Sequence, residues 1–177
     1  MMLVVMGVSG CGKSTVAEAL AGRIGGVFVD ADAYHPESNI RKMSRGIPLD
    51  DDDRRPWLDA LNRRLRDESA RGRSVVLACS ALKERYREAL RAGLPELRFV
   101  YLEGTHDEVM VLLRRRKGHF MKPGMLASQF AALEPPTDAI RIPVLLPCEE
   151  QVRRIQEHLS RCADAAGDPG RGNPRRA

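Results

Sequence analysis

The residues with the clearest chemical meaning lie near the N-terminus and have the types and spacing of a phosphate-binding loop. Residues 7–14 read Gly-Val-Ser-Gly-Cys-Gly-Lys-Ser, which satisfies the pattern G-x-x-x-x-G-K-[ST] in full. Its glycines allow backbone angles that a Cβ would forbid, so successive N–H groups can point at phosphate oxygens. Lys13 is expected to reach the β- and γ-phosphates, and the Ser14 hydroxyl to complete a Mg²⁺ site. The residues expected to contact the nucleotide are Gly7, Val8, Ser9, Gly10, Cys11, Gly12, Lys13, Ser14 and Thr15.

The segments on either side of this loop have the patterns of a strand and a helix. The apolar run 3–6 is typical of a buried strand, and Val16, Leu20 and Ile24 follow at the four-residue spacing of a helix. A helix that begins near Lys13 adds the positive end of its dipole to the loop. A glycine-rich turn that binds nothing does not account for both flanks. We therefore expect the chain to bind a nucleoside triphosphate, with ATP and Mg²⁺ as its cofactors.

Two aspartates follow the second apolar run, which covers residues 27–29. If the strand continues, Asp30 and Asp32 point to the same face. Beside the phosphate loop, one could hold Mg²⁺ through water and the other could accept a proton from an attacking substrate hydroxyl. The third strand ends in Cys79 and Ser80 without an acid, which favours Asp30 as the metal-side residue and Asp32 as the base. The alternative is a pair of solvated aspartates.

Basic residues that could hold an anionic substrate occur in two further places. Arg54 and Arg55 open a predicted helix behind the acidic run 50–53, and that run is better explained by helix capping than by metal binding. One of the two arginines is expected to clamp a carboxylate, and the other to be exposed. Lys83, in the turn after the third strand, could pair with the same anion or be an ordinary surface lysine.

A third basic group, residues 114–117, ends a helix and opens a segment over 116–137 that has the glycine and proline content of a mobile lid. Closing these side chains onto the phosphates would neutralise charge that develops during transfer. Arg116 is the expected phosphate contact, and Arg114 is expected near the adenine. His119 could contact the ligand or serve a structural role in the lid.

The bulk properties indicate a single soluble domain. The chain has 177 residues, a formal net charge of +5 and 5% aromatic residues, and its basic residues are interleaved with acids, unlike a nucleic-acid face. No apolar run has the length of a membrane span, and the N-terminus lacks the features of a secretory signal. The four cysteines are scattered without metal-ligand spacing, so a reducing cytoplasmic setting is expected. We expect one domain over 1–163, no nucleic-acid or membrane partner, and a disordered tail over 164–177.

Apolar and amphipathic segments alternate along the chain, which predicts a parallel sheet covered by helices on both faces. The predicted strands are 2–6, 27–29, 74–79, 97–102 and about 142–146, and the predicted helices are 13–25, 54–71, 82–92, 105–116 and 149–163. Residues 35–53 are mostly polar and predict an excursion on the substrate side. Ligands are expected beyond the carboxyl ends of the strands.

The loop and several later blocks together resemble the P-loop gluconokinases. The blocks are Asp30-Ala-Asp-Ala-Tyr-His-Pro36, Asn39-Ile-Arg-Lys-Met43, Gly46-Ile-Pro-Leu49, Asp51-Asp-Asp-Arg-Arg-Pro-Trp-Leu58, Cys79-Ser-Ala-Leu-Lys83 with Tyr86-Arg87, Arg116-Lys-Gly-His-Phe120, Met125-Leu126 and Ser128-Gln129-Phe130. The resemblance implies ATP-dependent phosphorylation of D-gluconate to 6-phospho-D-gluconate. It also implies the P-loop NTPase fold of the nucleoside-monophosphate-kinase type, with five parallel strands, and a homodimer. The family would place Asp32, His35, Arg54 and Lys83 toward gluconate.

Other interpretations remain open from the residues alone. A kinase of the same architecture that acts on shikimate or a nucleoside monophosphate would share the phosphate loop. A regulator that holds ATP without turnover would share it too, although the candidate base Asp32 argues against that class.

Overall fold

The computed structural model describes the backbone over residues 1–115 and 123–166, and side chains within these ranges except at 123–125 and 162–166. Five parallel strands form one sheet in the order β2-β3-β1-β4-β5. The strands are β1 (Met2–Met6), β2 (Val27–Asp30), β3 (Val75–Ala78), β4 (Arg98–Glu103) and β5 (Ile140–Pro143). The helices are α1 (Lys13–Ile24), α2 (Glu37–Ser44), α3 (Asp51–Ala70), α4 (Glu84–Arg91), α5 (His106–Arg115), α6 (Pro123–Ala132) and α7 (Cys148–Ala166), with a 3₁₀ turn at Ala31–Tyr34.

Helices cover both faces of the sheet, as the alternation of segments predicted. All five residues of β1 are buried, and they alternate between two cores. Leu3 and Val5 face the core that α1, α5, α6 and α7 complete, whereas Val4 and Met6 face the core of α3 and α4. This two-sided burial explains why β1 reads as a continuous apolar run rather than an alternating one.

The start of α3 differs from the prediction. The helix begins at Asp51, three residues before the predicted start, because Asp50 and Asp53 form a capping box in which each side chain accepts from the other's backbone N–H. The acidic run therefore caps the helix, as expected. The earlier start also moves Pro56 from the first turn into the second, where its missing N–H removes one hydrogen bond of the helix.

Helix α2 was not predicted within the polar stretch 35–53. Its buried position is the polar Asn39, whereas Ile40 and Met43 are exposed. Helix prediction from sequence depends on a stripe of apolar residues that faces the core. Because α2 buries the side-chain amide of Asn39 and exposes its apolar residues, it has no such stripe.

The last strand lies about two residues earlier than predicted. β5 ends at Pro143, and the apolar residues that follow, 144–146, belong to a turn. A proline is tolerated here because β5 pairs only with β4 and lies at the edge of the sheet.

The expected lid and the expected tail fall partly or mostly outside the residues that the structure describes. These undescribed residues include 116–122 of the lid and most of the tail. Helix α7 continues through Ala166, past the predicted end of the domain. The later part of the expected lid segment is packed on the fold, because Leu126 of α6 is buried in the core shared with α1 and α5. A lid and a separate tail stay predictions. Among the helices of the described part, none combines the length and apolar character needed to cross a bilayer.

Candidate active site

The phosphate loop connects the central strand β1 to α1, and Gly7, Gly10 and Gly12 all have the positive φ that favours glycine. Gly12 caps the N-terminus of α1 at φ 99°, and its carbonyl accepts from Val16 N–H at 3.0 Å. At Gly10 (φ 86°), an added Cβ would lie 2.5 Å from the Leu113 side chain of α5. The loop thus has α1 directly behind it and α5 pressed against its outer side, which leaves no room for a side chain at Gly10.

Lys13 lies across this loop. Its Nζ donates to the carbonyl oxygen of Val8 at 3.0 Å. The N–H of the same peptide group, carried by Ser9, donates to Oε1 of Gln129 at 2.6 Å. Gln129 belongs to α6 and is 120 residues away in sequence, and its contact with the loop was not predicted.

Asp30 joins the phosphate loop to the second aspartate. Its Oδ2 accepts from the Ser14 hydroxyl at 3.1 Å, and its Oδ1 accepts from the backbone N–H of Asp32 at 3.0 Å. The expectation that both aspartates project from one strand was wrong, because β2 ends at Asp30 and the chain enters a 3₁₀ turn that the Asp30 side chain caps. The two residues are nevertheless adjacent, and Asp32 is exposed at the carboxyl edge of the sheet.

Three of the predicted site residues are near enough to the end of β3 to act on Cys79. Cys79 follows that strand, is buried, and has a thiol whose pKa burial raises to about 12. The charges of Lys13, Asp32 and Arg54 have smaller effects on this pKa. Although these residues belong to α1, the 3₁₀ turn and α3, all three therefore lie in the neighbourhood of one end of the sheet.

His35 stacks on Trp57, with ring centroids 4.4 Å apart and planes 11° from parallel. Trp57 is itself fixed by its Nε1–H, which donates to Ala31 O at 2.7 Å. The amide nitrogen of the buried Asn39 lies 3.4 Å from His35 Nδ1. Because an amide nitrogen only donates, Nδ1 accepts and the neutral ring carries its proton on Nε2. Burial lowers the pKa of His35, with Asp32 opposing and Arg54 reinforcing the shift.

The structure distinguishes the two arginines that the sequence left equivalent. Arg54 is half-buried, donates to Leu49 O at 3.1 Å, and lies with its guanidinium carbon 5.6 Å from the centre of the Tyr86 ring. Arg55 is on the outside of α3, where it pairs with Asp52 at 3.5 Å and both side chains are largely exposed (76% and 91%). Arg54 is therefore the one on the side of α3 that faces Leu49 and Tyr86.

Lys83 is held by an acid that the sequence analysis treated only as part of a cap. Its Nζ lies 3.2 Å from Asp51 Oδ1, and Asp51 also contacts Arg85 and accepts from the Tyr86 hydroxyl. The hydroxyl of Tyr86, with help from Lys83 and Arg85, lowers the pKa of Asp51. Burial, together with the bond to Asp51, raises the pKa of Tyr86 to about 12. We call Asp51, Lys83, Arg85 and Tyr86 the Asp51 cluster.

The turn that carries Lys83 is tightly constrained. Ala81 adopts a φ of 42°, in the left-handed region that a non-glycine residue occupies at a cost of about 1 kcal/mol. The buried Arg87 donates to the carbonyls of Ala81 and Leu82 at 3.0 and 3.1 Å. Glu134, just after α6, donates its N–H to Leu82 O and accepts from Glu84 N–H at 2.6 Å. These bonds hold the strained turn and the position of Lys83.

The remaining predicted site residues either lie apart from the Asp51 cluster or fall outside the residues that the structure describes. Arg114 is exposed at the end of α5, and its expected role near the adenine stays a prediction. Arg116 and His119 lie outside the described residues. Cys11 is buried in the loop and lies against Gly7, and its expected contact with the nucleotide stays a prediction.

Ser14 and Asp30 are the side chains that could hold a metal ion. A hydroxyl and a carboxylate 3.1 Å apart are the hard oxygen donors that suit Mg²⁺, which usually takes one or two protein carboxylates and completes its shell with water and phosphate. The part of the chain that the structure describes contains no cluster of three or more histidine, cysteine or acidic residues suited to a metal.

Comparison with known proteins identifies the family. A family model described as "AAA domain" matches residues 2–136. The thermoresistant gluconokinase of Escherichia coli K12 is 45% identical over 162 residues, which cover 89% of this chain and 93% of that protein. A gluconokinase of Gluconobacter oxydans 621H is 50% identical over 136 residues, covering 77% and 76% of the two chains. This chain belongs to the gluconokinase family.

A solved structure extends the gluconokinase likeness to three dimensions. The crystal structure of a gluconokinase from Sinorhizobium meliloti 1021 superposes with a TM-score of 0.85 at 45% identity, covering 93% of this chain and 94% of that one. The P-loop kinase fold of the nucleoside-monophosphate-kinase type is thereby confirmed.

Several residues that shape the site carried little or no signal in the sequence. Asp51, Tyr86, Gln129 and Glu134 make contacts between elements far apart in the chain. Asp51, Tyr86 and Gln129 belong to the blocks that resemble the gluconokinases, but the resemblance did not indicate their roles. Glu134 lies outside those blocks.

We expect His35 to titrate below its ordinary pKa of 6.5 in the folded protein. The folded state resists protonation of this ring. The contribution of the neutral His35 ring to the free energy of unfolding is therefore fully present above pH 6.5 and is lost as the pH falls through the lowered pKa. An NMR titration of the imidazole signals, with His35 assigned by their loss in His35→Gln, measures the midpoint directly. A midpoint above 6.5 would contradict the burial argument.

Proposed function

We propose that this protein transfers the γ-phosphoryl group of ATP to the primary hydroxyl of D-gluconate, giving 6-phospho-D-gluconate and ADP. The relatives named gluconokinases support the substrate. The observation that carries the proposal is the Asp30 carboxylate, which joins Ser14 of the phosphate loop to the backbone of Asp32. It holds a candidate base beside the group that would bind the triphosphate.

The phosphate end of the site is formed by the loop. Its N–H groups and the N-terminus of α1 provide partial positive charge, and Lys13 provides a full one. On binding ATP, Lys13 would exchange its contact with Val8 O for phosphate oxygens. We propose ATP and Mg²⁺ as the cofactors, with Ser14 and Asp30 as the side chains that would hold the metal. Bound there, Mg²⁺ would supply charge neutralisation for the β- and γ-phosphates.

Asp32 is proposed as the general base. Its carboxylate is exposed at the carboxyl edge of the sheet, and its backbone is fixed by Asp30. As the gluconate oxygen forms its bond to the γ-phosphorus, the bond to the β–γ bridging oxygen breaks and ADP leaves with that electron pair. The hydroxyl proton passes to the Asp32 carboxylate. Positioning and charge neutralisation account for most of the rate in such transfers.

The Asp51 cluster and Arg54 offer a site for the carboxylate of gluconate. Lys83, Arg85 and Arg54 each lie 5.6 Å from the centre of the Tyr86 ring. Lys83 and Arg85 both pair with Asp51, whereas Arg54 donates to the carbonyl oxygen of Leu49. The positive charge of Arg54 would therefore be available to an anionic substrate. His35 would face the hydroxyl groups, since its neutral ring presents an Nε2–H donor.

Further sites and properties belong to the same proposal. Arg114, Arg116 and His119 would complete the site from the lid, with Arg116 on the phosphates. The enzyme would work in the cytoplasm as a homodimer, independent of nucleic acid and membrane. The family resemblance supports the homodimer.

A substrate panel tests the proposed function. We expect ATP-dependent ADP release with D-gluconate and little or none with shikimate, nucleoside monophosphates or other sugar acids. Lys13→Ala should abolish this activity while leaving the circular dichroism spectrum unchanged, because the substitution removes one hydrogen bond, to the loop carbonyl of Val8, and leaves the helices and the sheet in place. Turnover of shikimate in preference to gluconate, or near-normal activity in Lys13→Ala, would refute the assignment.

The role of Asp32 is tested by Asp32→Asn, which keeps the shape of the side chain but cannot accept the proton. We expect kcat to fall at least about 100-fold, while the KM for ATP changes less than about threefold. Steady-state kinetics with each substrate varied in turn separates the two. An equal loss in kcat and in ATP affinity would instead make Asp32 a metal-site or structural residue.

The role of Lys83 is tested by Lys83→Met against Arg55→Met, a matched loss of positive charge on the exposed side of α3. If Lys83 pairs with the substrate carboxylate, its loss removes a charge-assisted hydrogen bond and should raise the KM for gluconate about tenfold or more. The KM for ATP should hardly change, and Arg55→Met should resemble the wild type. A parallel rise in both KM values, or no rise, would remove Lys83 from the substrate site.

A further inference from the structure

The peptide group between Val8 and Ser9 is held from both sides. Its carbonyl accepts from Lys13 Nζ at 3.0 Å, and its N–H donates to Gln129 Oε1 at 2.6 Å. Lys13 belongs to the loop itself, whereas Gln129 belongs to α6, the helix that follows residues 116–122. A single peptide of the phosphate loop thus joins the loop lysine to a side chain from a distant helix.

This peptide marks the γ-phosphate end of the loop. In phosphate loops of this pattern, the backbone N–H groups hold the α- and β-phosphates and the lysine reaches the β- and γ-phosphates. Lys13 Nζ lies on the carbonyl of Val8, so that carbonyl lies next to the region that the lysine serves. Gln129 accepts from the N–H on the opposite side of the same peptide, and the N–H groups of such a loop are the ones that face phosphate oxygens, so its amide group lies on the phosphate side of the loop at Ser9.

The position of Gln129 is fixed by the packing of its helix. Leu126, one turn earlier in α6, is buried in the core, and Phe130 packs against the same core. Past the end of α6, Glu134 is bonded to the turn that carries Lys83. With anchors before and after it, Gln129 is held as a half-buried side chain over the loop.

The chemistry of the amide gives this contact a direction. Oε1 is engaged by Ser9 N–H, and the group carries two further N–H donors on Nε2. A primary amide with its oxygen bound to the loop offers its nitrogen to acceptors near the same place. The oxygens of a γ-phosphoryl group are strong acceptors whose charge is redistributed during transfer.

We infer that Gln129 is a γ-phosphate ligand of this kinase, fixed by Ser9 N–H through Oε1 and donating through Nε2 to the phosphoryl group that is transferred. The inference rests on the proposed function for the identity of the reaction, but its own content is a contact with the nucleotide. It predicts that Gln129 distinguishes ATP from ADP, since ADP lacks the group that the amide would hold.

The test measures nucleotide affinity without gluconate, so that it does not depend on the acceptor substrate. Calorimetric titrations with ADP and with the non-hydrolysable ATP analogue AMP-PNP, both with Mg²⁺, are carried out on the full chain and on Gln129→Ala. We expect the Kd for AMP-PNP to rise about tenfold or more, as for the loss of a hydrogen bond to a charged group. The Kd for ADP should stay within about twofold. Gln156→Ala, a half-buried glutamine of α7, is the matched control and should change neither.

Other changes in the two dissociation constants would identify the competing explanations. If Gln129 only blocks Ser9 N–H until a phosphate displaces it, its removal should tighten AMP-PNP binding. If it only supports the loop, both nucleotides should lose affinity alike. Either result, or no change at all, would overturn the inference.

Gln129→Glu provides a second variant that preserves size and the acceptor for Ser9 N–H. The added negative charge would face the γ-phosphate, so we expect the ratio of the AMP-PNP and ADP dissociation constants to rise about tenfold or more and kcat to fall. An unchanged ratio would show that only the acceptor matters and would overturn the inference. Should the substrate panel show no gluconate phosphorylation by the wild type, the proposed function fails, while the binding comparison still decides the role of Gln129.

Discussion

The Asp30 carboxylate makes the two hydrogen bonds on which the geometry of the site depends. One of its oxygens accepts from Ser14 of the phosphate loop and the other accepts from the backbone of Asp32. β1, which leads into the phosphate loop, and β2, which ends at Asp30, are not neighbours in the sheet, because β3 lies between them. The two hydrogen bonds of Asp30 therefore cross the carboxyl end of β3 and bring a candidate metal site and a candidate base together. Without it, the 3₁₀ turn that carries Asp32 would lose its cap and its tie to the loop.

Features that depend on residues close together in the sequence could be predicted, whereas contacts between distant residues could not. The phosphate loop, α1 and the buried strands were predictable because their signals lie within a few residues of one another. The roles of Arg54 and Arg55 were not separable, because the difference depends on which side of α3 faces Leu49 and Tyr86. Asp51 read as a helix-capping acid, and its contacts with Lys83 and Tyr86 are 32 and 35 residues distant in the chain. Side-chain contacts of that separation leave no local pattern.

Helix α6 is the element that relates the two ends of the site. Gln129 reaches the phosphate loop, and Glu134 holds the turn before α4 that carries Lys83. Leu126 ties the same helix to the core. A displacement of α6 would therefore act on the nucleotide end and the carboxylate end at once. This arrangement explains how one helix could coordinate the two binding segments, through the contacts of Gln129 and Glu134.

The two lysines of the site are already bound to protein acceptors, Lys13 to Val8 O and Lys83 to Asp51. Substrate binding would therefore exchange hydrogen bonds rather than create them, so the net gain in affinity from each contact is smaller than the contact itself. The exchange has a benefit for selectivity. A neutral polyol offers Lys83 no charge to replace that of Asp51, and the lysine would keep its present partner. If Lys83 holds the substrate carboxylate as proposed, an anionic substrate would compete with Asp51 for Lys83 and could also gain from Arg54 and Arg85, so that a pre-formed ion pair would discriminate between ligands of similar shape.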